Sequence, residues 1–255
     1  MATPVARWAA TDVDLTRPNA GRMYDYFLGG AHNFDADGVA ARAVLAVAPR
    51  IADAACANRA LLGRVVRYAL RRGIGQFLDL GAGLPTVGSV HEAAHAVDPA
   101  ARVVSVDCDP VVVAHTQALL AAVDTVGVVR ADLRDTATIL DHPDTVRLLD
   151  LTQPVAVLLV SVLDFVPGDL TDLMATLRRI MAPGSLLAIT HATPVAGADQ
   201  VAAVEDRYRC TSTPLCLRSR AAVRALVAGL DLVHPDPDLG GPADLVPVTR
   251  WRPDP

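Results

Sequence analysis

The sequence predicts an α/β fold, a mostly parallel sheet covered by helices on both faces, with a helical cap on its N-terminal side. Three observations carry this. Short unbroken apolar runs such as Val155-Ala156-Val157-Leu158-Leu159-Val160 read as strands buried on both faces. From residue 76 to residue 190 such runs alternate with helical patterns, as parallel strands joined by crossover helices require. Finally, Gln76-Phe77-Leu78-Asp79-Leu80 runs into the turn Gly81-Ala82-Gly83, a helix follows, and the next strand ends in Asp107, 28 positions after Asp79.

The elements follow in order. Residues 1–20 carry Pro4, Pro18 and little periodicity, and read as an arm. Residues 21–34 bring Tyr24, Tyr26 and Phe27 together within four positions of a chain only 4% aromatic, so this segment has something flat to cover. A helix is expected over 36–47 and a longer one over 51–72, with Ile51, Ala55, Leu62, Val66 and Ala69 as its buried stripe, ended by Gly73 and Gly75. Then come strand 76–80, helix 86–97, strand 102–106, helix 110–122, strand 126–130, a polar link, strand 154–160, helix 169–181 and strand 185–190. Helices near 197–208 and 219–229 precede two late strands, around 230–233 and 245–250, that read as an antiparallel hairpin. The chain divides into an arm and cap over 1–72 and a sheet domain over 73–255, together one compact unit.

Composition narrows the function. No run of 18 or more apolar residues is free of charge, so no membrane span is expected, and Met1 to Trp8 lack the apolar core of a secretory signal. A cytoplasmic protein is the expectation. All 23 basic residues are arginines and the net charge is −5, which gives no general affinity for nucleic acid. Arg64, Arg67, Arg71 and Arg72 recur at helical spacing and read as a solvated face. Cys56, Cys108, Cys210 and Cys216 have no zinc or thioredoxin spacing and are expected as free thiols. His91 and His95 stand one helical turn apart, without a third ligand to make a metal site.

Chemistry concentrates at the strand ends, where ligands bind in open α/β sheets. Gly81 and Gly83 let the backbone approach a ligand closely. A nicotinamide site wants G-x-G-x-x-G, and the third glycine would fall at Thr86. A D-x-G-x-G turn followed by an acid at the next strand end resembles instead the S-adenosylmethionine site of Rossmann-like methyltransferases.

More widely, the chain resembles a bacterial family of S-adenosylmethionine-dependent methyltransferase-like proteins long known by an uncharacterised-domain label. The resemblance rests on Arg22-Met23-Tyr24-Asp25-Tyr26-Phe27-Leu28-Gly29-Gly30-Ala31-His32-Asn33-Phe34, on the glycine turn through Thr86, on Val106-Asp107-Cys108-Asp109-Pro110, on Ala131-Asp132-Leu133-Arg134 and on Pro247-Val248-Thr249-Arg250-Trp251. It implies a Rossmann-like class I sheet with an antiparallel last strand, under an N-terminal helical cap. It names no substrate. The family commonly carries Asn at the position of Cys108 and Lys at that of Ala31.

Roles follow for the cofactor S-adenosylmethionine, each with a structural alternative beside it. Asp107 accepts the ribose hydroxyls or caps the helix over 110–122. Asp132 holds the adenine amino group, with Leu133 offering its amide, or caps the short helix after it. Asp79 organises the turn or meets the methionine ammonium. The Ser161 backbone holds that ammonium, and Cys108 is a small side chain at the adenosine edge. Arg22 clamps the carboxylate, while Tyr24 and Asn33 close over the methionine end. Asp164 orients the acceptor, Tyr24 stands with it among the catalytic candidates, and His191, at the end of strand 185–190, is the general-base candidate. The alternatives are a structural role for Ser161 and Asp164, a core or capping role for Arg22, Tyr24 and Asn33, and a histidine satisfied by local hydrogen bonds at 191. The functional expectation is methyl transfer to a small-molecule acceptor, without nucleic acid or membrane, by a monomer or homodimer. The alternative is a non-catalytic module that senses S-adenosylmethionine or S-adenosylhomocysteine.

Overall fold

The computed structural model describes residues 14–86, 88–192, 198–233 and 248–250. The expected arm over 1–13, and residues 245–247 and 251 at the end of the chain, lie outside them. Three helices open the fold, α1 (Ala20–Phe27), α2 (Asp35–Val47) and α3 (Ile51–Arg71). The alternating part runs β1 (Gln76–Leu80), α4 (Val90–His95), β2 (Arg102–Asp107), α5 (Pro110–Leu120), β3 (Val126–Arg130), α6 (Thr136–Asp141), α7 (Pro143–Leu148), β4 (Ala156–Val160), α8 (Thr171–Ile180) and β5 (Leu186–Thr190). Helices α9 (Ala198–Tyr208) and α10 (Arg220–Leu226) then lead to β6 (Asp231–Leu232) and β7 (Val248–Arg250).

The seven strands of the described residues form one sheet in the order β3-β2-β1-β4-β5-β7-β6. Strands β1 to β5 are parallel, and β7 runs antiparallel to both β5 and β6, as the expected hairpin requires. In the centre Leu78 of β1 stands opposite Val104 on one side and Val157 on the other. The chain leaves β1 towards β2 and β3 and then returns to place β4 on the opposite side. Strand order therefore reverses between β1 and β4, and a crevice opens at their carboxyl ends.

Alternate residues along each strand feed two cores. Leu78, Val104, Val157 and Leu187 pack on one face with Met174 and Leu177 of α8. Phe77, Val103, Leu158 and Leu186 pack on the other with Leu62, Val65, Val66 and Ala69 of α3 and with Ala94 of α4. The predicted α3 stripe is buried except at Ile51, which is only partly covered. A third cluster joins Met23 and Phe27 of α1, Ala41 and Val44 of α2, Ala55 of α3 and Tyr208 of α9. Because α3 serves both the cap cluster and the sheet, we propose that residue 72 separates two parts of a single unit.

Three expectations are refined. The segment after residue 19 is a helix, since Asn19 Oδ1 accepts from the amides of Gly21 (2.8 Å) and Arg22 (3.4 Å) and so caps α1. The helix expected from residue 86 begins at Val90, because Gly88 takes a positive φ of 67° and Glu92 reaches back to the amides of Gly88 and Ser89. The polar link folds into α6 and α7, started by the Asp135 cap and by Pro143 in the first helical turn.

The cap is held down by one buried cation. Arg22 Nε lies 3.1 and 3.0 Å from the two oxygens of Asp37 in α2. Its Nη1 donates to Asp109 (3.1 Å) at the start of α5, and its Nη2 donates to the Arg17 carbonyl. Arg22 is 3% exposed, Asp37 0% and Asp109 8%, so the group is shielded from solvent. Removing one partner of such a set strands the opposite charge in a place with no water. Arg22→Met should therefore lower folding stability by about 3–5 kcal/mol in urea titrations. Arg50→Met, at an exposed pair 3.8 Å from Asp53, should leave the midpoint unchanged.

Candidate functional site

The crevice between the ends of β1 and β4 holds a cavity of about 160 Å³. Its floor is the turn after β1. There the Gly81 and Ala82 amides donate to the Val106 carbonyl, which folds the turn over the end of β2. Gly81 has φ 78° and Gly83 φ 65°, a region that disfavours side chains. A Cβ on Gly81 would collide with Val162, whereas one on Gly83 would meet nothing within 4 Å. Gly81 is thus required by packing, and Gly83 presents bare backbone to open space.

Asp107 locks this turn. One oxygen accepts from the Gly83 amide and the other from the Asp109 amide, both at 2.9 Å. Each carboxylate oxygen keeps a further lone pair for a ligand hydroxyl. The cap of α5 is Asp109, whose side chain accepts from Val111, so the alternative reading of Asp107 as that cap is set aside. Burial pushes the Asp107 carboxyl up to about 6, against the pull of the Asp109 and Gly83 amides. Asp79, also on the floor, is pushed up to about 7 by burial, opposed by the nearby Arg59 charge and reinforced by Asp107.

The expected residues divide into two groups. Tyr24, Asp79, Gly81, Gly83, Asp107, Cys108, Asp132, Leu133 and Ser161 all line the cavity. Asp132 sits at its rim and accepts from the Arg134 side chain (Nε 2.9 Å, Nη2 2.6 Å), while the cap of α6 is Asp135. Cys108 is exposed at the cavity, and partial desolvation with Asp107, Asp132 and Asp109 around it raises its thiol to about 11. Ser161 takes φ 51°, rare for a residue with a side chain. It is held there by its amide's bond to Thr190 Oγ1 (2.8 Å) and by Asn58 Nδ2 on its hydroxyl (3.0 Å).

Arg22, Asn33, Asp164 and His191 are placed elsewhere. Arg22 is engaged with Asp37 and Asp109. Asn33 Nδ2 donates to Asp25 (2.8 Å) and to the Gly30 carbonyl (2.9 Å), shaping the loop after α1. Asp164 and His191 pair with each other (3.0 Å) in the interior, where the histidine side chain has no exposure. His191 Nδ1 is also 2.7 Å from the Ala192 carbonyl, and Asp164 Oδ1 accepts the Ala192 amide. Burial raises the Asp164 carboxyl to about 7 and lowers the histidine. The strand end was expected to turn His191 towards the cleft; instead Asp164 draws it into the protein. Tyr24 stays at the cavity, where its hydroxyl donates to the Ala55 carbonyl (3.0 Å) and burial raises its pKa.

Sequence reasoning missed Asn19, Gly21, Asp25, Arg59, Thr86 and Thr213, all of which line the cavity. Thr86, where a dinucleotide site would have glycine, donates its hydroxyl to Asp25 (2.7 Å) and so fastens α1 over the turn. Arg59 had a legible signal. Positions 55, 58, 59 and 62 share one helix face, so Asn58 and Arg59 interrupt the α3 stripe with polar groups on its buried side.

Residues 6–255 match the family model described as S-adenosyl methyltransferase. A crystal structure from Thermobifida fusca, of a protein provisionally assigned as a methyltransferase, is similar at 34% identity and a TM-score of 0.86, covering 97% of this chain and 100% of the other. A DUF574 family protein from Streptomyces avermitilis is similar at 33% identity and a TM-score of 0.83, covering 94% of this chain and 99% of the other. No curated protein matches the sequence. Among the described residues no helix is long and apolar enough to cross a membrane. Matched to the family model over residues 6–255 and similar to these two structures over nearly its whole length, the chain belongs to the S-adenosyl methyltransferase family.

Proposed function

We propose that the chain transfers a methyl group from S-adenosylmethionine directly, in line, to a small-molecule acceptor held in the crevice between β1 and β4. The carrying observation is the Gly83 amide bonded to Asp107 beside open space, a bare turn tied to the carboxylate best placed for a ribose. Among the described residues four carboxylates, Asp25, Asp79, Asp107 and Asp132, line the cavity against two cations, Arg59 and Arg134, a balance that suits a ligand carrying a sulfonium and an ammonium. When bound, S-adenosylmethionine supplies an electrophilic methyl group on positively charged sulfur. The residues of the chain orient and desolvate: α1 roofs the cavity with Asn19, Ala20, Gly21 and Tyr24, and Phe165, Val166 and Thr213 wall it. Alignment of this kind is worth up to about 7–11 kcal/mol.

An acceptor that fits a cavity of about 160 Å³ is small, and the net charge of −5 gives a nucleic acid no general affinity. Because His191 and Asp164 do not line the cavity, acceptor activation is not assigned to them. The acceptor atom is one that already offers a lone pair near neutral pH.

Calorimetry with S-adenosylhomocysteine should show one site per chain. Asp107→Asn should weaken it by about 10- to 100-fold, the worth of charge-assisted hydrogen bonds. No binding to the wild-type chain overturns the proposal. Binding with no transfer of labelled methyl to any acceptor favours the role of an effector-sensing module.

Protonation gives a second test. A cationic ligand competes with protons for Asp79 and Asp107, whose values are raised to about 7 and about 6. Affinity for S-adenosylmethionine should be level above the higher of these values and fall as the pH drops through both. A pH-independent affinity would contradict it.

The same burial acts on stability. A carboxyl whose folded pKa is raised stabilises the fold below its unfolded value of 3.8, and that contribution is lost as the pH rises through about 7. Asp79→Asn should therefore melt above the wild type in slightly alkaline buffer and bind the cofactor more weakly. The melting difference should shrink in acid, as differential scanning calorimetry at several pH values would reveal.

A further inference from the structure

We infer that Arg59 is the carboxylate receptor of the cavity, and that it makes the site selective for a nucleoside carrying a complete amino acid. This rests on S-adenosylmethionine being the occupant. The role was expected of Arg22, whose guanidinium is engaged in the buried set that holds the cap. Two arginines line the cavity among the described residues, and Arg134 is bound to Asp132 at the rim. Arg59 remains.

Its position suits the task. From α3 the guanidinium reaches over the Tyr24 ring, 5.4 Å from the ring centroid. Its aliphatic stem passes beside Gly88, with Cγ and Cδ at 3.5 and 3.6 Å from where a Cβ there would stand. Arg59 Nε is buried and has no hydrogen-bond partner among the described residues. A buried donor without an acceptor is costly, and a carboxylate would satisfy it in the fork geometry that guanidinium favours. Arg59 also borders an adjoining groove, where it stands with Arg64 and Arg67 against the single acid Glu92 among the described residues.

Asp79 is near enough for the two charges to influence each other. Arg59 and Asp79 both line the cavity, so it offers a cation and a carboxylate together, the complement of an α-amino acid zwitterion. Ordinary nucleosides lack both charges, and a decarboxylated cofactor lacks the one that Arg59 reads.

The test compares S-adenosylhomocysteine with its decarboxylated analogue, which keeps the ammonium, by calorimetry on the full chain. The wild type should prefer the intact ligand by about 10- to 100-fold. Arg59→Met should remove that preference, bringing S-adenosylhomocysteine down to the level of the analogue and shifting the analogue by less than about threefold. Arg59→Lys should retain part of the preference, because it keeps the charge without the fork. If Arg59→Met does not fold, the wild-type and Arg59→Lys preferences decide the matter. Equal binding of the two ligands by the wild type overturns the inference while the cofactor assignment stands, and so does an equal loss of both in an Arg59 variant. Binding of neither ligand by the wild type overturns the functional reading and this inference with it.

Discussion

The buried set around Arg22 is the constraint on which the remainder depends. One guanidinium joins α1, which carries it, to Asp37 in α2 and to Asp109 at the start of α5. Asp109 is bonded through its own amide to Asp107, which in turn holds the Gly83 amide. The cap and the glycine turn are therefore connected by four polar contacts, and Arg22, Asp37 and Asp109 among them are buried from water. That explains why the arginine nearest the family signature is unavailable to a ligand. It holds the roof in place.

Around that anchor the site is assembled from parts that differ in kind. The floor is local: a strand, a turn and the next strand end, all within the segment from Gln76 to Asp107. The roof is remote, because Asn19, Gly21 and Asp25 arrive on α1, and Thr213 arrives from beyond α9. Local order at the floor is costly, since Asp79 and Asp107 are both raised well above an ordinary carboxyl by burial. A site that stores such strain when free gains when a cation enters, which links the stability of the chain to its ligand.

The interior Asp164 and His191 pair shows how proximity in sequence to a strand end can mislead. His191 follows β5 directly, and Asp164 follows β4 by four residues, so topology places both at the carboxyl edge of the sheet. Side-chain direction then decides. Thr190 turns to the Ser161 amide, and His191 turns inward to Asp164 and the Ala192 carbonyl. Strand alternation shows that neighbours at a strand end diverge; it does not show which of them reaches a cavity once the chain has left the strand.

By itself the sequence determined the sheet, its hairpin end and the floor of the site, because buried strands, glycine turns and the acids after them are written in contiguous residues with their own periodicity. It also carried the signal of Arg59, as a polar break on the apolar face of a helix. Only the tertiary structure decided the partners of Arg22, the inward turn of His191, the late start of α4 and the engagement of Thr86 with Asp25. Each of these depends on which charge or hydroxyl meets which across many residues of chain. Such pairings are set by the competition of buried groups for one another, and no local pattern records its outcome.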